Sequence, residues 1–453
     1  MKLSFKKLGS ISVVTLLVLS GCGGSSSDTP VVNAETKSVT DSQKSAILVT
    51  YADVALANYT DTVNDAKALQ IALSTFTENP TQTTLQVAKD AWKVSRESYL
   101  QSEVFRLSDG PIDAESGWVA TAYNAPEGQL NAWPLDENMI DYTISKEGTK
   151  TSGNIIDTIG QFTPSGGTQV DITTITAEAL SSLNENGGAA NVATGYHAIE
   201  FLLWGQDQDY TSFVADTITN GPLTAGERPV SDYISEANSD RRKAYLNAAA
   251  SKIVIDLELV ASAWSKTLNG NTGRYRAALL NELTGENASD NIATDISLKA
   301  ILSGMGVFIK SEVANERIAV AVLTPSEEDE HSCFSDNTHR DIAGDFEGFK
   351  NILNGTYKGA HFGPGIMANV SASQITITLA LTTSIDSKIS SIDTKAKTVE
   401  HFDYQILEGH NATEITALKN EMRALGDEMV NVAKELGITL STSSVTDSGE
   451  TKL

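Results

Sequence analysis

Long apolar stripes at helical spacing constrain this chain more than any other feature. From Ser42 to Phe76 apolar side chains recur at helical spacing (Ile47, Leu48, Tyr51, Val54, Ala55, Tyr59, Val63, Ala66, Leu69, Ile71, Leu73), and Pro80 stops the run. The pattern resumes from Thr81 to Leu107 and breaks at Asp109-Gly110-Pro111, so the two stretches read as a helical hairpin. Helical periodicity returns from about Ala189 to Trp204, Val230 to Trp264, Ile292 to Leu323, Asp336 to Leu353 and Ala412 to Leu436. Strand alternation is scarce. Its best candidate, Gln374 to Leu379, runs into a segment whose spacing suits a helix equally well. The expectation is an all-α protein of two helical-bundle domains resembling four-helix bundles, because helices of this length pack most simply as antiparallel bundles and 453 residues exceed one such bundle. The first domain is expected at 41–210 and the second at 211–440, divided within the polar, Gly- and Pro-punctuated stretch at 206–230, with a polar tail at 441–453. Residues 110–188, rich in Gly, Pro, Asn and Thr, read as loops with short helices.

The N-terminus reads as an address. Lys2, Lys6 and Lys7 precede an apolar run from Ile11 to Leu19, too short for a comfortable membrane span of about 20 residues, and small residues follow. Leu19-Ser20-Gly21-Cys22 resembles a bacterial lipobox, which makes residues 1–21 a signal peptide and Cys22 the expected site of lipidation. Residues 22–40, opening with Gly and Ser, form a flexible tether. No Asp follows Cys22 directly, which points to the outer membrane of a Gram-negative envelope, on its periplasmic or outer face. Lys plus Arg total 33 against 58 Asp plus Glu, a formal charge of -25. That sign opposes a phosphate backbone, so nucleic acid is excluded as a partner while cations stay open.

Two segments concentrate residues able to do chemistry. In Gly195-Tyr196-His197-Ala198-Ile199-Glu200, His197 and Glu200 stand at i and i+3 on one helical face, as bundles present an imidazole and a carboxylate to a metal, and Gly195 leaves room for another element. An isolated motif this short is weak evidence by itself. The zinc-peptidase pattern HExxH is absent, since Ala198 stands where its general base would be. The second segment, Ser326 to Asp341, carries Glu327, Asp329, His331, Cys333, Asp336, His339 and Arg340, with Ser335 a candidate N-cap for the next helix. Its acidic run Glu327 to Glu330 reads equally as a solvated loop. Cys333, a single thiol without a partner, reads as a packing residue; Glu312 and Glu316 read as exposed helix charges or as neighbours of the same space; His361, His401 and His410 read as ordinary residues.

At these residues the chain resembles the imelysin family, whose GxHxxE signature is matched by GYHAIEFLLWG and whose iron-regulated branch is matched by PSEEDEHSCFSDNTHRDI, by SEVFRLSDGPID and by NAWPLDENMIDY, in the same order. The resemblance spans roughly Ser42 to Leu436. It implies two all-α domains with the motif near their interface. Carried over residue by residue, it makes His197 and Glu200 metal ligands and Gly195 the close-packing position. It would bring Glu327, Asp329, His331, Asp336 and Arg340 toward the same place.

Two functions follow as expectations. The first is an iron-regulated outer-membrane lipoprotein that binds a metal ion, iron in preference to zinc, as the free ion or a chelate, and serves uptake with iron-transport proteins as partners; carboxylates and imidazole suit that ion. The alternative is a metallopeptidase in which a carboxylate such as Glu327 or Asp329 activates a metal-bound water and Arg340 steadies the oxyanion. Whether the protein is an enzyme stays open at this point.

Overall fold

Each of the first two helices begins on a reciprocal cap. At the head of α1 (Asp41–Glu78) the Thr40 hydroxyl accepts from the Gln43 amide at 3.3 Å, and the Gln43 side chain accepts from the Thr40 amide at 3.0 Å. Thr81 and Thr84 repeat the device for α2 (Gln82–Ser102). The computed structural model describes residues 39–144, 148–207, 221–323, 325 and 330–449. The expected signal peptide, Cys22 and most of the expected tether lie outside the described residues, as do 208–220, where the domain division was expected, Glu327, Asp329 and the last four residues of the expected tail.

The protein is all-α, as its periodicity predicts. After α2 come α3 (Gly195–Trp204), α4 (Ser239–Ala263) and α5 (Thr294–Val307), which runs on through a π-helical segment, Phe308–Ala319, to Leu323. They are followed by α6 (Thr338–Asn354), α7 (Ala372–Thr398) and α8 (Ala412–Glu435). The only named strands among the described residues are two short antiparallel pairs, Gln161–Phe162 with Val170–Asp171 and Thr356–Tyr357 with Ala360–His361. Residues 110–188 hold loops and short helices, in agreement with their composition.

Three local expectations are corrected. The helix expected from Val230 starts only at Ser239, because Pro229 and the 3₁₀ turn Val230–Tyr233 precede it. The helix after the second segment opens at Thr338 behind Asn337, and Ser335, expected as its cap, spends its hydroxyl elsewhere. Gln374 to Leu379 is helical, started by the Ser371 hydroxyl bonded to the Gln374 amide at 3.2 Å. There the polar Gln374, Thr378 and Thr382 are buried at i, i+4 and i+8 while Ile375, Ile377 and Leu379 face outward, so apolar alternation misreads the segment.

From Ser38 to Leu453 the chain makes one compact unit. In it α1 packs on α2 and α4, and α3 on α4 and α2. Toward the C-terminus α8 packs on α7, α5 and the π-helical segment, while α6 packs against both α7 and α2. The aromatic side chains of Tyr51, Tyr59, Phe105 and Trp264 meet at ring distances of 5.2 to 6.5 Å and weld α1 to the ends of α2 and α4.

The α2–α6 contact is close because α6 presents glycine there. A Cβ on Gly348 would lie 2.4 Å from the Gln101 carbonyl oxygen, and one on Gly344 would lie 2.7 Å from the Leu100 Cβ. Helix propensity alone favours Ala over Gly by about 1 kcal/mol. Against backbone at that distance the clash dominates, and overpacking costs about 1–3 kcal/mol. Gly348→Ala is therefore expected to lower unfolding stability in urea by about that amount, whereas a gain would show that α2 and α6 can move apart freely.

Candidate metal centre

The site is built where α3, the loop 330–337 and the start of α6 meet α2. Gly195 opens α3 with φ +85, and a Cβ on it would stand 2.5 Å from the Leu130 carbonyl oxygen, so glycine is needed both for the backbone conformation and for the approach. One turn on, His197 and Glu200 are 1% and 0% exposed. His197 Nδ1 lies 2.9 Å from Glu200 Oε2, and Glu200 Oε1 accepts from the Ser335 amide at 3.0 Å and the Ser335 hydroxyl at 2.7 Å. The helix spacing read from the sequence thus makes the two residues partners.

His331 stands against His197, with ring centroids 4.6 Å apart and planes near perpendicular. Its Nδ1 lies 2.7 Å from Asp341 Oδ2, which also accepts from the Ser332 hydroxyl and pairs with the Arg96 guanidinium at 3.1 Å. Two buried imidazoles, each backed at Nδ1 by a carboxylate, repeat the arrangement by which outer carboxylates orient metal-binding histidines. An ionised Glu200 can only accept, which puts the proton on His197 Nδ1 and leaves Nε2 its lone pair; a protonated Glu200 donates to Nδ1 instead and puts the proton on Nε2. That Nε2 atom is buried with no hydrogen-bond partner.

The surrounding charges keep these rings neutral. Burial, helped by Arg96, brings His197 down to about 3, and burial with Arg317 brings His331 down to about 3. Burial also pushes the Glu200 carboxyl up to about 8, with Asp341 adding to the rise and the Ser335 donors opposing it. For Asp341 burial acts upward too, but Arg96 and the His331 and Ser332 donors overcome it and hold the carboxyl well below the usual range. Outside the pair, Arg317 binds Glu103 at 2.5 Å, Glu312 at 3.3 Å and Asp345. Arg106 binds Glu312 at 3.0 Å and Glu127 at 3.3 Å. Arg106, Glu127, Glu312 and Arg317, with Glu316 and His331, line a cavity of about 230 Å³ beside the second imidazole.

The structure brings together three of the six expected ligands, His197, Glu200 and His331, with Gly195 supporting them from below. Asp336 lies apart from the pair, bonded to His401 and close to Asp207 and Asp403. Arg340 is engaged by Glu97 at 2.8 Å and Asp393 at 3.0 Å. Glu327 and Asp329 are outside the described residues. Cys333 is a buried free thiol that burial pushes well above its ordinary range, as suits a packing residue. His401, read as ordinary, instead contacts Asp336. The sequence passed over Arg96 and Asp341 and offered Ser335 only as an N-cap. Asp341 had a signal, since it closes the same His- and acid-rich segment; Arg96 stood in an ordinary helical stretch with nothing local to mark it.

The Imelysin (peptidase M75) family model matches residues 55–429. Iron-regulated protein A of Synechococcus elongatus is 24% identical over 216 residues, which is 44% of this chain and 47% of that protein, so the match spans about half the length of this curated relative. A crystal structure from Parabacteroides distasonis, provisionally assigned as an iron-regulated protein A precursor, superposes with a TM-score of 0.59 at 16% identity. It covers 88% of this chain and 96% of the other, a likeness of fold.

The raised Glu200 carboxyl has a consequence for stability. A group whose folded pKa lies above its unfolded value contributes fully below the unfolded pKa and loses that contribution as pH rises toward the folded pKa. For Glu200 that window runs from about 4.5 to about 8. In chelator-treated protein, Glu200→Gln should therefore flatten the fall of Tm between pH 5 and 8 relative to the parent chain. Parallel Tm curves for the two proteins would show that the carboxyl is not held in its neutral form.

Proposed function

The chain belongs to the imelysin family, and on that premise we propose that it is an envelope-anchored, iron-regulated lipoprotein that binds a metal ion, iron in preference to zinc, at His197 and serves iron uptake. The observation that carries the reading is the His197 imidazole, buried, neutral, backed by Glu200 at Nδ1 and unbonded at Nε2. An orphaned polar atom in a protein interior costs about 1–3 kcal/mol, and a metal ion bound at Nε2 as Glu200 gives up its proton would relieve that cost. His197 Nε2 would hold the ion, with His331 the adjoining imidazole. Glu200 would orient the first ring and Asp341 the second. Because both rings stay neutral down to about pH 3, the ion meets little competition from protons on them at neutral pH.

Binding is favoured over peptide hydrolysis by what the nearby carboxylates already do. Glu200 is occupied by His197 and Ser335, and Asp341 by His331, Ser332 and Arg96, so among the described residues neither is left to activate water. No third His, Cys, Asp or Glu atom joins the two rings at ligand spacing among the described residues. Coordination would be completed by water, by a chelating group, or by the segment that holds Glu327 and Asp329. Anchoring is supported by the lipobox-like Leu19 to Cys22, and among the described residues no helix is long and apolar enough to cross a membrane.

Titration of the metal-stripped protein with Fe²⁺ and Zn²⁺ tests the site. His197→Ala is expected to lose one equivalent of bound iron, and Glu200→Gln to weaken binding by about 10–100-fold, the usual cost of removing an orienting partner. Unchanged stoichiometry in His197→Ala would overturn the assignment. For the anchor, Cys22→Ser should move the protein from the membrane fraction to the soluble fraction of the envelope, and retention in the membrane would refute lipidation at that residue.

A further inference from the structure

Beyond the imidazole pair lies a second group of buried acids. Asp207 follows the end of α3, Asp336 sits in the loop before α6, and Asp403 is in the short helix Phe402–Gln405, so three distant parts of the chain supply them. All three are buried, and one carboxylate oxygen from each lies within 4.8 Å of the other two. That spacing has a physical meaning. Oxygens bound to Ca²⁺ lie about 2.3–2.6 Å from it, so two on opposite sides of the ion are roughly 5 Å apart and the rest are closer. The three oxygens can therefore share one such ion.

Buried acids alone do not make a site, but Glu330 adds an independent observation. Its side chain is 0% exposed, and neither carboxylate oxygen has a hydrogen-bond partner. It stands against the same group: burial raises its carboxyl most, then Asp336, Asp403 and Asp207 in that order, with the Thr338 hydroxyl opposing. Asp403 Oδ1 is likewise buried and unbonded. Evolution of a stable interior removes such groups unless something compensates them, since a buried carboxylate without a partner is among the costliest groups a core can hold.

We propose that Asp207, Asp336, Asp403 and Glu330 form a binding site for a hard divalent cation of the Ca²⁺ class, separate from His197. The donor set is all oxygen, which suits Ca²⁺ and disfavours zinc, whose protein sites draw on imidazole and thiolate. The neighbouring imidazole of His401 is spent on Asp336. Cys333 feels the charge of Glu330 and Asp207 but is held as the neutral thiol, a poor ligand. A cavity of about 610 Å³, walled by Asp336, Asn337 and His401 together with the cationic Lys93, Arg340 and Lys397, reaches the group at Asp336. Bound there, the ion joins the end of α3, the loop carrying His331 and Ser335, and the connection between α7 and α8, so it would hold in place the loop that completes the imidazole pair.

The test is calorimetric titration of the EDTA-stripped full-length protein with CaCl₂, paired with thermal unfolding with and without the salt. One saturable equivalent and a rise in Tm are expected. Asp403→Asn and Glu330→Gln should each weaken binding at least tenfold while the calcium-free Tm at pH 8 holds or rises, because each replaces a buried carboxyl that has an unbonded oxygen and, among the described residues, no Lys or Arg pair. His197→Ala should bind CaCl₂ as the parent does, so this result stands or falls apart from the iron site. Absence of saturable binding and of any Tm change in the parent chain, or binding unaltered in both carboxylate variants, would overturn the proposal.

Discussion

A guanidinium with no access to water organises the centre of this protein. Arg96 is fully buried on α2, surrounded by the rings of Trp92, Tyr99 and Tyr196 at 5.3 to 5.6 Å, and its charge is answered by Asp341 at the head of α6. Removing one partner of such a pair strands the other, at a cost of about 3–5 kcal/mol. The pairing therefore fixes α6 against α2. Asp341 in turn holds His331 and Ser332, so the arrangement of the loop 330–337 descends from one ion pair. Ser335 in that loop then completes Glu200, and Glu200 completes His197.

This chain of dependence explains why helices were easier to read than the site. The helical stripes are local, and most long helices were legible from spacing and from punctuation such as Pro80, the exception being α7, whose first turns alternate like a strand. His197 and Glu200 were legible for the same reason, since i and i+3 on one helix is a local relation. His331 was legible only as a member of a dense segment. That it faces His197, and that Asp336 from the same segment turns instead toward Asp207 and Asp403, depends on how the loop 330–337 folds over α3. The positive φ of 53° at Asp336 is part of that course, and no sequence period reports it. Asp207 lay in the polar stretch read as the domain division and Asp403 in a stretch with no marked pattern, where an acid carries no distinguishing mark until its burial is known.

The acidic composition also takes on a different sense. Most of the carboxylates stand on the surface or in exchanged pairs with Lys and Arg, as in Lys388 with Glu421 or Lys350 with Asp386. A smaller set is interior, and there the protein separates two treatments. Glu103, Glu312 and Asp341 are neutralised by Arg96, Arg106 and Arg317, which pull their carboxyls below the ordinary range against the effect of burial. Glu330 and Asp403 have no arginine pair, and burial raises both. Net charge alone could not distinguish these populations.

The π-helical segment Phe308–Ala319 places Glu312 and Arg317, five residues apart, within 3.3 Å of each other. An α-helix turns through about 500° over five residues, which would set those side chains well apart around its axis, whereas the wider π turn brings them onto one side. The segment thus behaves as a vernier between two faces. Upstream, α5 packs against both α1 and α8, while the π-helical segment itself packs on α8 and α6, and the change of pitch is absorbed in the wide turns. A single-residue deletion there would rotate one face relative to the other, so length in this stretch is under tighter restraint than residue identity.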